Sequence, residues 1–347
     1  MKRININMKN EKRCIFAKLK YIGIRNNGII FGGMVRDEIL AKHYKSVFDD
    51  HILSLPDSMR NTNTNKFWDI EYHKESIKRT IIPNDMDIYF HNRNLAEAFL
   101  DDINDYVNDY DGTFYIENID LYELGINFIH KKITVSFLIG KTIIKKGIII
   151  NIKIDIILNR NIDYYIEPPF NLCDFTCNLF VMSKNYEKKE KYDIRLSINT
   201  GTKLDKMTTD NKIIYEKKII QDLIEGKTEF IRNSMNLLTE YINGCRILKM
   251  LDNNIKITNL LFREIERTDI EDICDICQMS VNNEEPIIEI LTNKYAINMM
   301  HKTCFIKYLR NEIHKKNRND ETNYIECRCS RRNLFNFKDS YKLSYLY

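Results

Sequence analysis

The sequence predicts an α+β fold, in which a domain built on a mixed sheet is followed by a helical region and a small zinc-binding module. Alternating apolar and polar residues mark strands in the first half of the chain, whereas apolar residues recur at helical spacing later on. Cysteines and a histidine at metal-ligand spacing follow residue 270. The predicted parts are the sheet domain 14–182, an irregular charged linker 183–211, the helical region 212–268 and the zinc module 270–347.

The elements of the sheet domain follow from its apolar spacing. Residues 133–139 and 147–158 alternate apolar and polar side chains and predict a hairpin, because successive side chains of a strand point to opposite faces. Residues 43–83 are rich in polar and charged side chains and predict a surface insertion. The other predicted elements are a helix, strand, turn and helix in residues 14–42, a strand in 85–90, a helix in 94–109 and a helix in 170–182.

Two adjacent glycines lie at the predicted turn between the first strand and the helix after it. Gly32 and Gly33 follow the apolar run 28–31 and precede the amphipathic stretch 34–41. Glycine allows the backbone to approach a ligand closely, and the start of a helix offers unpaired amide groups to an anion. The turn therefore predicts a phosphate-binding site, although a Gly-Gly pair alone is also typical of an ordinary turn.

Three aspartates are predicted to share one face of the sheet. Asp85 and Asp87 lie two residues apart on one strand, so their side chains point the same way. Asp155 lies in a strongly apolar strand, where a charge is costly unless it is paired or bound to metal. An Asp-x-Asp pair alone is typical of a solvated strand face, but the three together predict a site for two Mg²⁺ or Mn²⁺ ions.

In their order along the chain these motifs resemble the tRNA nucleotidyltransferase and poly(A) polymerase family of the polymerase-beta-like superfamily, in its bacterial and eukaryotic class. The resemblance covers roughly residues 24–267. It rests on Gly-Gly-Met-Val-Arg-Asp at 32–37, on the Asp-x-Asp pair, on Cys-Asp-Phe-Thr-Cys-Asn at 173–178, which is similar to Arg-Arg-Asp-Phe-Thr-x-Asn, and on Cys-Arg-Ile-Leu-Lys at 245–249, which is similar to an Arg-x-Leu-Arg helix.

The resemblance implies a nucleotidyltransferase head in residues 14–182 and a helical neck in 212–268. It implies transfer of a nucleoside monophosphate from a nucleoside triphosphate, with ATP favoured, to an RNA 3′ end. Asp85, Asp87 and Asp155 would be the catalytic residues and would hold Mg²⁺ or Mn²⁺. The residues that would contact the nucleotide are Gly32, Gly33, Arg36, Asp37, Asp174, Asn178 and Arg246.

The chain also departs from the family pattern. Leu172 and Cys173 replace the paired arginines of the family, which removes two cations. Ile242 and Asn243 stand where the family carries acids ahead of its base-reading arginine, so Arg246 is expected to lack an acidic partner. The expected consequence is relaxed or adenine-leaning addition, not strict addition of CCA to tRNA.

The last part of the chain predicts a zinc site. Cys274 and Cys277 form a Cys-x-x-Cys pair, and His301 and Cys304 form a His-x-x-Cys pair, which together supply four ligands for tetrahedral zinc. The segment around His301 resembles a RING finger, in which Cys327-x-Cys329 falls at the position of the last ligand pair. Two further ligands expected before His301 are absent from the sequence, so one intact and one degraded Zn²⁺ site are predicted. The alternative is a set of unrelated free thiols.

The amino-acid composition limits the classes of protein to which this chain can belong. The chain has 53 basic and 49 acidic residues among 347, a net charge of +4, so RNA would have to bind through local patches. No apolar run is long enough to span a membrane and no apolar signal core is evident, so an intracellular, cytoplasmic protein is expected. Two alternatives to the enzyme stay open. One is a RING-type ubiquitin ligase or adaptor that uses an inactive nucleotidyltransferase fold as an RNA- or protein-binding platform, with a possible protein partner at its zinc module. The other is a catalytically silent RNA-binding protein.

Overall fold

A computed structural model describes residues 2–54, 83, 85–109, 113–119, 128–139, 148–159, 174–184, 195–196, 208–231, 237–260, 262–265, 273–281, 286–291 and 297–316. The predicted α+β class is confirmed to the extent that the fold mixes helices with a mixed sheet. The chain divides into two compact units: a first unit of residues 1–173 and 177–220, and a second unit of residues 174–176 and 221–347. No helix in the described part of the chain is long and apolar enough to cross a bilayer.

The first unit is built on one seven-stranded sheet. The elements in this part of the chain are α1 (Lys2–Arg25), β1 (Ile29–Phe31), α2 (Gly33–Ser54), β2 (Asp85–Phe90), α3 (Arg93–Asn108), β3 (Thr113–Ile119), β4 (Phe128–Ile139), β5 (Ile148–Asn159), a 3₁₀ turn (Thr176–Asn178), β6 (Phe180–Met182) and β7 (Arg195–Leu196). The strand order in the sheet is β3-β4-β5-β2-β1-β6-β7. In this sheet β2 and β5 run parallel and the other neighbouring strands run antiparallel.

The core of the first unit lies between the sheet and helices α1 and α3. These helices pack against each other and against strands β1, β2, β3 and β5. Ile88 of β2 approaches the backbone of α1 so closely that a Cβ on Gly23 would lie 2.5 Å from its Cδ1 atom. The rings of Phe90 and Phe99 stack with their centroids 5.0 Å apart. Helix α3 begins where the Asn92 side chain accepts a hydrogen bond from the amide of Leu95 at 3.0 Å.

The predicted order of helix, strand, turn and helix in residues 14–42 is confirmed, as are the strand 85–90, the helix near 94–109 and the two strands of the hairpin. Helix α2 continues to Ser54, so the predicted insertion 43–83 begins as helix. Residues 55–82 lie outside the described part of the chain, as do the linker residues 185–194 and 197–207.

The predicted helix over residues 170–182 is wrong. Within the described residues 174–182, Thr176–Asn178 forms one 3₁₀ turn and Phe180–Met182 forms strand β6, which pairs with β1. All three side chains of β6 are buried. A short buried strand is apolar on both faces, so its periodicity does not distinguish it from a buried helix.

The second unit combines two helices, short strands and the metal-ligand residues. After residues 174–176, the second unit resumes within helix α4 (Thr209–Ile224). The elements that follow are β8 (Lys227–Thr228), α5 (Leu237–Asp252), β9 (Lys256–Ile257), β10 (Phe262–Ile265), β11 (Ile287–Leu291), β12 (Ile297–His301) and α6 (Lys302–Lys316). Strands β8 and β9 form a parallel pair, and the other three strands form an antiparallel sheet in the order β10-β11-β12.

The continuous helical region predicted over 212–268 is therefore only partly correct. Gly226 has φ +78° and Asn254 has φ +55°, and these left-handed residues end helices α4 and α5. The chain after each of them forms one of the two parallel strands, which meet where the amide of Lys256 donates to the carbonyl of Gly226 at 2.7 Å. The predicted boundary near residue 269 falls inside the second unit.

Candidate active site and metal centre

The three predicted aspartates share one face of the sheet in the first unit. Strands β2 and β5 are parallel neighbours whose register places Asp87 opposite Asp155 and Asp85 opposite Lys153. Paired residues of neighbouring strands lie about 5 Å apart at their Cα atoms. Asp85, Asp87 and Asp155 are all half-buried, whereas the isoleucines that alternate with Asp155 on β5 are buried on the opposite face. We refer to this group as the aspartate trio.

Gly32 lies directly beside the aspartate trio. Phe31 pairs with Asp87 across β1 and β2, and Gly32 follows with φ +74°, a conformation that only glycine adopts readily. A Cβ atom on Gly32 would lie 2.6 Å from Asp87 Oδ2. The carbonyl of Gly32 accepts a hydrogen bond from the amide of Arg36 at 3.3 Å, so helix α2 starts here. The start of a helix, with its unpaired amides, therefore adjoins a carboxylate.

Arg36 and Asp37 stabilise this turn. Arg36 Nε donates to Asp37 Oδ1 at 2.9 Å and its Nη2 lies 2.8 Å from the same oxygen. Burial alone lowers the pKa of Arg36, but the charges of Asp37, Cys177 and Asp85 outweigh it and raise that pKa. Arg36 is therefore a cation at working pH that feels the charge of the aspartate trio.

Lys12 of α1 is a second cation near the aspartate trio that the sequence did not indicate. The pKa of Lys12 is lowered, because burial disfavours its charge by more than the charge of Asp85 favours it. The signal in the sequence was weak, because Lys12 is one of several basic residues on α1 and no motif singles it out.

The aspartate trio does not form a closed metal-ligand cluster. Among the residues that the structure describes, the one group of three or more His, Cys, Asp or Glu side chains whose ligand atoms all lie within 4.8 Å of one another is the group Cys274, Cys277, His301 and Cys304. The trio offers carboxylates of the type that bind Mg²⁺, on one face and in adjacent positions. Magnesium at this face stays a prediction.

The expectation that Arg246 lacks an acidic partner is wrong. Within the second unit, Arg246 Nη1 lies 2.5 Å from Asp174 Oδ2. The Asp174 side chain is 4% exposed and the Arg246 side chain 45% exposed. The acid comes from a position 72 residues earlier in the chain, which local spacing around Arg246 does not reveal. The side chains of Ile242 and Asn243, together with Leu172 and Cys173, lie outside what the structure describes.

Asp174 is held in place by the backbone around it. Its carbonyl accepts from the amide of Ile231 at 2.8 Å. Thr176 Oγ1 accepts from the amide of Glu229 at 3.0 Å and lies 3.2 Å from Thr228 Oγ1. Asn178, by contrast, belongs to the first unit, where its side-chain oxygen lies 3.7 Å from Cys177 Sγ. The motif 173–178 therefore contributes residues to both units.

Cys274 and Cys277 lie on a tight turn in the second unit. The amide of Gln278 donates to the carbonyl of Cys274 at 2.9 Å, and the amide of Cys274 donates to the carbonyl of Met279 at 2.9 Å. Gln278 has φ +61°, which reverses the chain directly after Cys277. The turn points both thiols to the same side.

His301 and Cys304 complete the cluster from the junction of β12 and α6. His301 Nδ1 lies 3.4 Å from Cys277 Sγ and 3.9 Å from Cys304 Sγ. His301 Nε2 lies 3.2 Å from the carbonyl oxygen of Ser280. Because a carbonyl only accepts, Nε2 carries the proton in this contact and Nδ1 keeps its lone pair for a metal.

The chemistry of the four side chains fits a cation. Burial raises the pKa of Cys274, but hydrogen bonds from the backbone of Cys277 and His301 outweigh it and bring that pKa down to about 7. Burial and the interactions with Cys277 and Cys274 raise the pKa of Cys304 to about 12. One thiolate forms readily, and a second needs a positive charge to offset repulsion. The cluster could hold a metal such as zinc.

Apart from Asn178, the predicted site residues that the structure describes form three groups. Gly32, Gly33, Arg36, Asp37 and the aspartate trio lie together in the first unit, Asp174 and Arg246 pair in the second unit, and the four metal-ligand residues cluster there as well. Cys327 and Cys329 lie outside the described residues. No family model, curated protein or solved structure matches this chain. Function has to be inferred from these residues themselves.

Proposed function

We propose that the protein is a metal-dependent nucleotidyltransferase that adds a nucleoside monophosphate to an RNA 3′ end. The observation that carries the proposal is the parallel register of Asp87 and Asp155, with Asp85 on the same face and Gly32 beside them at the start of a helix. Carboxylates on adjacent strands next to unpaired helix amides supply cation ligands and anion donors at one place. ATP is the favoured donor nucleotide.

In the proposed reaction the terminal 3′ hydroxyl of the RNA loses its proton to solvent, and its oxygen attacks the α-phosphorus of the nucleoside triphosphate. The new bond is a phosphodiester, the bond to the β-phosphate breaks, and pyrophosphate leaves with the electron pair. Mg²⁺ or Mn²⁺ held by Asp85, Asp87 and Asp155 would supply Lewis acidity and positive charge at this site. The protein's own contribution is to position the reactants and to offset negative charge.

Specific residues carry that contribution. Asp85, Asp87 and Asp155 bind the cations, and the amides at the start of α2 donate to phosphate oxygens. Asp37 holds the Arg36 guanidinium against the turn, with Arg36 Nη2 3.5 Å from the point that a Cβ on Gly33 would occupy. Arg36 stays charged because nearby acids raise its pKa, so it offers phosphate a permanent cation.

The residues of the second unit have other proposed roles than metal and phosphate binding at the aspartate trio. In the ion pair of Asp174 and Arg246, the half-exposed guanidinium offers donors of the type that hydrogen-bond to a nucleobase, and the buried Asp174 carboxylate holds it. Contact of the pair with the nucleotide is proposed from the resemblance alone. The Cys274, Cys277, His301 and Cys304 cluster is proposed as a structural zinc site, because it supplies four protein ligands and leaves no open position for substrate.

Incorporation of labelled nucleotides tests the proposal. The full-length protein is incubated with a mixed RNA acceptor, Mg²⁺ or Mn²⁺, and each labelled nucleoside triphosphate in turn. We expect extension of the RNA that is lost in Asp87→Asn and retained in Asp101→Asn, an exposed carboxylate on α3. Absence of incorporation from every triphosphate with both metals, in protein shown to be folded, contradicts the proposal.

A further inference from the structure

Strands β3, β4 and β5 present a polar face that continues from the aspartate trio. The sheet register forms one row across four strands, in which Asp85 is opposite Lys153, Lys153 is opposite Thr134, and Thr134 is opposite Tyr115. A second row places Asp87 opposite Asp155, Asp155 opposite Lys132, and Lys132 opposite Glu117 of β3. Opposite residues of neighbouring strands point to the same face, so both lysines and Tyr115 share the face of the trio.

This face is open, unlike the reverse face of the same strands. Tyr115 is 68% exposed and Ile149 is 64% exposed, and Asn151 and Lys153 on the same strand as Ile149 are also exposed. The side chains that alternate with them on β4 and β5 are buried: Ile133, Val135, Phe137, Ile150, Ile152 and Ile154. Helices α1 and α3 pack against the sheet in the same unit.

The dimensions of the face suit an extended strand. From β2 to β3 it spans three strand spacings, which is about 14 Å, and from Ile149 to Asp155 along β5 it is about 20 Å long. The part nearest the trio is acidic. Beside the trio the face carries Lys153 on β5 and Lys132 on β4, with hydroxyl and amide groups from Thr134, Ser136 and Asn151, and on β3 it includes the positions of Glu117 and Tyr115. Ser136 donates to Asn151 at 2.7 Å.

We propose that this face binds the single-stranded 3′ end of the acceptor RNA, an inference that rests on the proposed nucleotidyltransferase function. Lys153 lies on β5, two residues from Asp155 and opposite Asp85, and Lys132 lies on β4 opposite Asp155. Their ammonium groups offset phosphate charge beside the trio. Tyr115 lies farther out and exposes an aromatic ring on which a base stacks. The acidic end repels phosphate, so the chain of phosphates lies over the lysines and only the terminal hydroxyl reaches the trio.

A single-stranded RNA matches this face better than a protein partner does. Cations that alternate with polar groups and one exposed aromatic ring are the combination found in sequence-tolerant single-strand sites. The centre of a protein–protein interface of similar size is apolar and contains few charged residues. The two lysines here lie on β5 and β4, the two central strands of the four that form the face.

Fluorescence anisotropy with a short labelled, unstructured RNA tests the proposal in the full-length protein without nucleotide. The double variant Lys132→Gln/Lys153→Gln is expected to bind more weakly and to reduce the slope of log affinity against log salt by about 1.4, since each lost phosphate contact on a single strand removes about 0.7. Tyr115→Ala is expected to weaken binding about 5- to 100-fold, whereas Tyr115→Phe keeps the ring and the affinity.

The matched control is Lys217→Gln, an exposed lysine on α4 that lies outside the face. Unchanged affinity and salt slope in the double lysine variant, or an equal loss in Lys217→Gln, overturns the proposal. Binding is measured without transfer, so the two hypotheses fail separately. Binding that depends on the face without any incorporation counts against nucleotidyl transfer, and incorporation with binding insensitive to these variants counts against the acceptor face alone.

Discussion

The carboxylate of Asp87 lies against the backbone of Gly32, so that a Cβ atom on Gly32 would lie 2.6 Å from Asp87 Oδ2. Gly32 also has φ +74°, whereas Gly33 is the first residue of helix α2 and its Cβ would meet Arg36 Nη2 at an ordinary 3.5 Å. Only the first of the two adjacent glycines is therefore required by the structure of the turn. Gly32 is required by both backbone conformation and space, and Gly33 by neither.

We expect Gly32→Ala to displace the Asp87 carboxylate and to strain the backbone. The left-handed conformation alone costs a residue with a Cβ about 1 to 2 kcal/mol. Displacement of a metal-binding carboxylate by about 1 Å lowers the rate of the proposed transfer by about 100-fold. Incorporation of labelled nucleotide and chemical denaturation measure the two effects.

The adjacent variant Gly33→Ala is the control for stability. Its Cβ fits, and alanine favours the helix over glycine by roughly 1 kcal/mol. A midpoint of unfolding for Gly33→Ala that is as low as that of Gly32→Ala contradicts this account of the turn.

The sequence predicted the parts of the fold that depend on local periodicity. Alternation along residues 147–158 indicated that Asp155 points away from the buried isoleucines, and the structure places it on that face. The alternation of apolar and polar residues along this strand does not indicate which strand pairs with it. The parallel pairing of β5 with β2, which brings Asp155 next to Asp87, depends on packing between segments that are far apart in sequence.

The features of the fold that the sequence did not predict also arise from tertiary packing. Strand β6 is apolar on both faces because it is buried, so it resembles a buried helix in periodicity. Arg246 receives its acid from Asp174, which is distant in sequence and close only after folding. The four metal-ligand residues could be predicted from the sequence because they occur as two closely spaced pairs. Each pair is positioned by a single local element, a turn for Cys274 and Cys277 and a helix start for His301 and Cys304.

Lys302 is expected to be essential for the stability of the second unit. Its ammonium lies 3.0 Å from Glu264 Oε2, and both side chains are 9% exposed. It also donates to Asn254 Oδ1 at 3.1 Å. Oε2 of Glu264 has no well-aligned hydrogen bond among the described residues, so the pair with Lys302 is held by charge. Lys302→Met leaves a buried carboxylate unpaired and is expected to cost about 3 to 5 kcal/mol.

The double variant Lys302→Met/Glu264→Leu removes both charges and is expected to recover most of that loss. The control is Arg310→Gln, which breaks an exposed pair with Asp252 whose side chains are 49% and 42% exposed. That change is expected to cost less than about 1 kcal/mol. Urea unfolding of the four proteins measures these differences, and equal costs for Lys302→Met and Arg310→Gln argue against a buried pair.

Metal analysis of the purified protein is expected to find one zinc per chain, bound by Cys274, Cys277, His301 and Cys304. Cys277→Ser is expected to lose the zinc and to lower the melting temperature by more than about 4 °C, which corresponds to about 1 to 2 kcal/mol. Cys245→Ser changes an exposed thiol on α5 and should keep both the zinc and the melting temperature. A protein that contains no zinc when prepared without chelator contradicts the structural zinc site, and a second zinc points to Cys327 and Cys329.

The pair of Asp174 and Arg246 is expected to stabilise the second unit as well as to present polar groups. Arg246→Gln leaves the Asp174 carboxylate buried without its cation, whereas Asp174→Asn leaves a half-exposed guanidinium that water solvates. We therefore expect Arg246→Gln to cost about 1 to 2 kcal/mol and Asp174→Asn to cost less, because one partner is open to solvent and the full penalty of a buried pair does not apply.

A double-mutant cycle by urea unfolding measures this coupling, with Arg93→Gln and Glu97→Gln as the control cycle. Arg93 and Glu97 form an i, i+4 pair on α3 with side chains 77% and 51% exposed, and such pairs contribute about 0.3 to 0.5 kcal/mol. Coupling between Asp174 and Arg246 should exceed that of the control pair. Equal coupling energies in the two cycles would mean that burial of Asp174 does not strengthen its ion pair. The expectation that Arg246→Gln destabilises the protein more than Asp174→Asn would then have no physical basis.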